Sequence, residues 1–159
     1  MELNGETLRF IREHCKDDVR SLALQAPKYP GVDMPVALTQ IAGRQAAAEK
    51  IPSWHEEEGV LYPRHLSLEQ CSSEATARYK ASIIPGSSSG TLTDLTGGFG
   101  IDCAFLSPRF HHVTYVERQE VLCEIASHNF PLLGLNHIRI ENKDGIRHLQ
   151  EMSSVDWIF

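Results

Sequence analysis

The sequence predicts an α/β protein: a parallel sheet of about four strands over residues 91–159, preceded by a helical subdomain over residues 1–84. Three observations predict it. After residue 90, short apolar runs ending near an acid alternate with longer runs of helical spacing, the strand, helix, strand rhythm of a parallel sheet. The stretch TLTDLTGGFGID, Thr91–Asp102, turns on glycines between a strand and a helix. Before residue 85, apolar residues recur at helical spacing behind Asn, Asp and Ser capping residues.

In chain order, Asn4 caps a first helix with Leu8 and Ile11 on its apolar side and Phe10 beside them. Asp17 or Asp18 caps a second that carries Val19, Leu22, Ala23 and Ala26, and Pro27 and Pro30 end it. Asp33 followed by Pro35 starts a third, with Val36, Leu38, Ile41 and Ala42 running into GRQAAAEK. Pro52–Gly59 is polar apart from Trp54, and Glu56, Glu57 and Glu58 read as a solvated turn or a helix start.

The next stretch is Tyr62–Ile84. Ser67 with Gln70 three residues on fits a capping box, and the helix behind it sets Ser72, Thr76 and Lys80 on one face. Ala75, Tyr79, Ala81 and Ile83 form its apolar side, so Tyr79 is expected in the core and His65 at the surface. Pro85 and the GSSSG loop mark a boundary before the first strand.

In TLTDLTGGFGID, Leu92 and Leu95 bracket Asp94 at a strand end, Gly97, Gly98 and Gly100 make the turn, and Ile101, Ala104, Phe105 and Leu106 open a helix. Such a turn brings backbone and free helix N–H groups close to a ligand. A dinucleotide fingerprint needs a third glycine where this chain has Cys103, and it asks for no acid before the turn. VTYVE, Val113–Glu117, is a second strand, with Glu117 23 residues after Asp94. An acid at that tip accepts hydrogen bonds from ribose hydroxyls, or is simply solvated. Val121, Leu122, Ile125, Ala126 and Phe130 follow at helical spacing until Pro131. HIRIE, His137–Glu141, is a third strand with Asp144 and Gly145 just past its tip, where Asp144 also fits as the N-cap of a helix to Glu151. His111 and His112 read as loop residues, and VDWIF, Val155–Phe159, as a fourth strand.

Composition narrows the class. With 159 residues and 42% hydrophobic content, the chain is one domain or one domain with an appendage. Cys15, Cys71, Cys103 and Cys123 show no CxxC spacing, so no metal site is expected and a reducing cytoplasm is. No apolar run reaches a membrane span, and MELNGETLRF is not a signal segment. Net charge is −6, with 10 basic and 12 acidic groups over residues 1–90 and 5 and 9 over residues 91–159. A nucleic-acid partner would need a local patch or further sequence.

A strand-end acid followed by glycines resembles the class I S-adenosylmethionine methyltransferases, whose acid-x-Gly-x-Gly-x-Gly run matches Asp94, Gly98 and Gly100, with Thr96 at the first glycine position. EQCSSEATARYKAS, DLTGGFGID and DWIF are similar to a bacterial group of these enzymes that carries a THUMP-like domain after the catalytic one. The layout is more loosely similar to trimethylguanosine synthase and other RNA-modifying enzymes. The resemblance implies a Rossmann-like sheet, S-adenosylmethionine as cofactor, RNA as a substrate class and a cofactor site of Asp94, Thr96, Gly97, Gly98, Gly100, Asp102, Glu117, Arg118, Asp144 and Gly145. In that scheme Asp94 holds the methionine ammonium, Glu117 the ribose, and Asp144 with Gly145 borders adenine. Ser72, Ser73 and Thr76 are candidates for closing over the methionine end.

In that family the loop after the fourth strand faces the substrate, and in members that methylate base or amine nitrogens it often carries Asp/Asn-Pro-Pro. The chain ends at Phe159, so the expectation is a fragment with catalytic residues beyond that point, or else a shortened but sufficient domain. The open edge of the fourth strand offers pairing with a second copy. Two other readings stay open, a nucleotide-cofactor oxidoreductase using NAD and a non-catalytic α/β binding module.

Overall fold

The computed structural model describes residues 3–85 and 90–159, so most of the GSSSG boundary lies outside the described residues. Helix α1 (Gly5–Glu13) starts where Asn4 Oδ1 accepts the Thr7 N–H at 2.8 Å. Asp18, rather than Asp17, caps α2 (Val19–Leu24), and Asp33 caps α3 (Met34–Lys50) by accepting the Val36 N–H. Two faces are rotated from expectation. Leu8 is 37% exposed while Thr7 is buried, because Thr7 Oγ1 accepts the Asp33 N–H at 2.9 Å and turns that side of α1 inward. On α3 the buried line is Met34, Ala37, Gln40, Ile41, Gly43 and Ala47, in which a buried glutamine and a glycine carry no apolar signal.

After α4 (Pro52–Glu56), the predicted helix behind Ser67 is two helices, α5 (His65–Gln70) and α6 (Glu74–Ser82). The chain between them is extended, and the cap is Ser73, whose Oγ accepts the Thr76 N–H at 3.2 Å. Ser67 caps nothing. Tyr79 is 67% exposed rather than in the core, because the buried residues of α6 are Glu74 and Ala77.

The sheet is parallel throughout, in the order β3-β2-β1-β4: β1 (Thr91–Asp94), β2 (His112–Glu117), β3 (Ile138–Asn142) and β4 (Trp157–Ile158). Strand β1 feeds α7 (Ile101–Leu106), β2 feeds α8 (Glu120–Leu132) and β3 feeds α9 (Gly145–Glu151). His112 opens β2 rather than lying in a loop, and α8 passes Pro131 by one residue before Gly134, at φ 74°, ends it. Strand β4 is shorter than Val155–Phe159, since Asp156 turns its carboxylate back to accept the N–H and hydroxyl of Thr91 at 2.8 and 2.9 Å. Phe159 still follows the ladder, exchanging backbone hydrogen bonds with Thr93 and Leu95 at 3.0 Å.

One apolar cluster runs from Ala47, Ile51, Trp54 and Tyr62 through Phe99 to Tyr115 and Phe130, and a smaller one joins Phe10, Leu22, Met34, Ala37 and Ile41. Trp54 meets Phe99 edge-on at 5.1 Å, so the helices before residue 85 pack directly on the glycine turn. Two buried amides complete the contact. Gln40 brackets the backbone of Tyr62, and Asn129 that of Leu61, each giving and accepting one hydrogen bond at 2.8–2.9 Å. Side chains thereby supply the pairing that an extended buried segment lacks from neighbouring strands. No helix among the described residues is long and apolar enough to cross a membrane.

Candidate functional site

The order β3-β2-β1-β4 reverses direction at β1, and ligands of open α/β sheets bind beyond the strand ends at such a reversal. A cleft of about 730 Å³ lies there, within the size range of small-molecule sites. Its floor starts at β1. Asp94 is 1% exposed, and its Oδ1 accepts the Thr96 N–H at 3.0 Å, which folds the chain back into the glycine turn.

The three glycines serve different needs. A Cβ on Gly97 would sit 2.2 Å from the Tyr115 ring, and one on Gly100 would sit 2.8 Å from Phe130. At these two positions the close approach is to the protein core, not to a ligand as expected. Gly98 and Gly100 have φ of 55° and 88°, the left-handed region that glycine adopts without a Cβ clash. A Cβ at Gly98 would meet only the Thr96 carbonyl, at 3.6 Å, so that part of the turn faces open space.

Glu117, at the tip of β2, binds the turn from the side. Its Oε2 accepts the Gly98 N–H at 3.0 Å and its Oε1 the Gln119 N–H at 2.8 Å. Each carboxylate oxygen keeps a second lone pair for a hydroxyl donor. Beyond β3, Asp144 Oδ1 accepts the N–H groups of Ile146 and Arg147, so the capping alternative holds, while Asp144 also lines the cleft. Gly145 packs on the end of β1, where a Cβ would meet the Leu95 carbonyl oxygen at 2.3 Å.

The opposite wall comes from the α5–α6 junction and α7. Ser72 Oγ donates to Asp102 Oδ2 at 2.8 Å, and Lys80 Nζ donates to the same oxygen and to Ser72 Oγ, both at 3.0 Å. Lys80 also lies 4.9 Å from the centre of the Phe159 ring. Asp102 Oδ1 is shielded from solvent without a hydrogen-bond partner, the one such side-chain atom among the described residues. Ser73 and Thr76 bond each other at the start of α6, so of the three hydroxyls proposed for this wall only Ser72 lines the cleft.

Burial pushes the Asp94 carboxyl up to about 6; the Thr96 N–H opposes this, the charges of Asp102 and Glu117 add to it, and Lys80 opposes it. A raised native value means that between about pH 4 and 6 the folded chain binds more protons than the unfolded one, so this group's contribution to stability is full below pH 4 and lost as pH rises through 6. Asp94→Asn is therefore expected to stabilise the ligand-free chain by roughly 2–3 kcal/mol at pH 7 and by almost nothing at pH 4. Urea melts of parent and variant across that range check it; a constant difference between them counts against the buried charge.

All ten residues that the sequence predicts for the site line this one cleft: Asp94, Thr96, Gly97, Gly98, Gly100, Asp102, Glu117, Arg118, Asp144 and Gly145. Sequence reasoning missed the lining role of Cys71, Gln119, Leu122, Ile146, Leu149 and Phe159. The apolar ones carry no signal that separates a lining residue from a core residue. Lys80 was placed on the correct helix without a role. Among the described residues, no group of three or more His, Cys, Asp or Glu side chains is arranged to hold a metal ion.

No family model and no curated protein sequence matches the chain. Among solved structures, it is similar to a proposed methyltransferase from Porphyromonas gingivalis W83, at 26% identity and a TM-score of 0.75 over 96% of this chain. A precorrin 8W decarboxylase from Methanobacterium thermoautotrophicum is similar at 15% identity and a TM-score of 0.51, over 55% of this chain and 48% of that one. The chain spans 38% of the length of the Porphyromonas protein. The parallel sheet, its flanking helices and the cleft at the strand ends give this chain the α/β fold of the methyltransferases.

Proposed function

We propose that the cleft binds S-adenosylmethionine and that the chain serves methyl transfer to RNA or another nucleic acid. The observation that carries the cofactor is the convergence of Asp94, Asp102, Glu117 and Asp144 on one cleft, against Lys80 and Arg118. A dinucleotide would bring its pyrophosphate into this acidic surround, whereas the sulfonium and ammonium of S-adenosylmethionine are attracted by it. The residues fit that ligand on two further counts: the open face of the turn at Gly98, and the unpaired Asp102 Oδ1 that awaits a donor.

Glu117 is placed to accept the ribose hydroxyls on its spare lone pairs while it keeps the Gly98 N–H in position. Asp144 and Gly145, with Ile146 and Leu149 beside them, form the wall for the adenine ring. When bound, the cofactor supplies an electrophilic methyl group, and the protein's part is to hold and orient it. The nucleic-acid acceptor rests on the family link alone, through the looser similarity of the helix-plus-sheet layout to RNA-modifying enzymes, and with a net charge of −6 the acceptor would be held by a local basic patch or further sequence.

Calorimetry with S-adenosylhomocysteine and with NAD tests the cofactor. Binding of the first and not the second is expected. The reverse result selects the oxidoreductase, and binding of neither counts against both cofactor readings for this chain.

A further inference from the structure

We propose that Tyr115 is a positioning residue for the cofactor: its hydroxyl fixes the backbone of Gly98 and so keeps the cleft-facing part of the glycine turn in the shape that receives the ligand. This rests on the S-adenosylmethionine reading and adds to it a residue that does not itself line the cleft.

The turn is held from one strand. Val116 C=O accepts the Gly97 N–H at 2.9 Å, Glu117 Oε2 accepts the Gly98 N–H at 3.0 Å, and the Tyr115 hydroxyl donates to the Gly98 carbonyl at 2.6 Å. Tyr115 and Glu117 are two residues apart, so both side chains leave β2 on the same face. Their bonds fall on the two peptide units that flank the Gly98 Cα, and together they fix its φ and ψ.

Gly98 needs that hold. Glycine has the widest backbone freedom, the φ here is 55°, and a Cβ would meet only the Thr96 carbonyl at 3.6 Å, so packing does not restrain this side. Gly97 and Gly100 differ, since they press on the Tyr115 and Phe130 rings. Hydrogen bonding is the restraint left where the turn opens on the cleft.

Tyr115 is suited to the task. It is fully buried, and its ring meets Phe130 edge-on at 5.5 Å between centroids, so the hydroxyl does not follow a moving backbone. Burial raises the phenol far above its ordinary value, which keeps the donor proton in place. Without that donor the Gly98–Phe99 peptide unit is free to turn, and only the fraction of chains in the clamped shape receives the ligand. The apparent dissociation constant then rises by the inverse of that fraction. The loss falls on the association rate, because the bound complex keeps the ligand contacts of the parent; loss of a direct contact would raise the dissociation rate instead.

Stopped-flow binding and calorimetry with S-adenosylhomocysteine on the 159-residue chain test this in the parent, Tyr115→Phe and Phe130→Leu, with the folded fraction of each read from urea melts. Tyr115→Phe keeps the ring and removes the donor. It is expected to weaken binding per folded chain by about 5- to 10-fold, with the change in the association rate and a dissociation rate like the parent's. Phe130→Leu loosens the packing around the ring and leaves the hydroxyl, so it is expected to lower stability and keep the affinity of the folded chain within about twofold. Folded Tyr115→Phe that binds within twofold of the parent overturns the proposal and leaves the S-adenosylmethionine reading standing. Equal losses in the two variants also overturn it, since they would make the tyrosine a packing residue alone, and so does a loss in Tyr115→Phe carried by faster dissociation. A parent chain that does not bind S-adenosylhomocysteine removes the S-adenosylmethionine reading and this inference with it.

Discussion

Glu117→Gln is expected to lower affinity for S-adenosylhomocysteine by about 100-fold and to reduce stability by about 1–2 kcal/mol. The substitution looks conservative, but the two oxygens of Glu117 each accept a backbone N–H, from Gly98 and from Gln119. Glutamine has one acceptor oxygen, so its NH₂ must face one of those N–H donors. The turn then loses either its tether to β2 or the start of α8, and the ribose loses one of its acceptors. Calorimetry reads the first effect and urea melts the second. An affinity within about threefold of the parent's would remove Glu117 from the nucleoside site.

Gly97→Ala is expected to destabilise the fold by about 3 kcal/mol. Its Cβ would stand 2.2 and 2.5 Å from Tyr115 ring atoms. That ring cannot swing aside, because it is fully buried, its hydroxyl donates to the Gly98 carbonyl at 2.6 Å, and its edge packs against Phe130 at 5.5 Å between centroids. Gly98→Ala is the control: it places a left-handed φ on alanine but meets open space, so its cost is about 1–2 kcal/mol. Thermal unfolding of the two variants should rank them in that order. The reverse order would mean that the φ angles, rather than the tyrosine, make glycine necessary here.

The glycine turn and the strand-tip acids were legible because their signal is local. Asp94, Gly98, Gly100 and Glu117 stand in short runs whose alternation of apolar and acidic residues places them at strand ends, and a parallel sheet sends its strand ends to one side. The helix caps Asn4 and Asp33 were legible for the same reason, since a cap acts within three residues of itself, while Asp18 stood beside Asp17 and Asp144 beside a ligand role as alternatives that the structure decides. The α5–α6 junction escapes the pattern because Ser67 with Gln70 fits a capping box, whereas the side chain that caps is Ser73, which has Thr76 rather than an acid or glutamine three residues on. The helix that Ser73 caps buries Glu74 and Ala77.

From the sequence alone came the α/β class, the order of strands along the chain and the chemical type of the groups at their tips, because neighbouring residues impose these on one another. Tertiary structure decided the rest. Gly97 is a glycine on account of a tyrosine 18 residues later, Glu117 is a tether before it is a ligand, and Asp102 keeps a free oxygen because Lys80 and Ser72 both reach the other one. Each of these depends on where side chains remote along the chain are brought by packing the sheet against α6, and a run of neighbouring residues does not encode that distance.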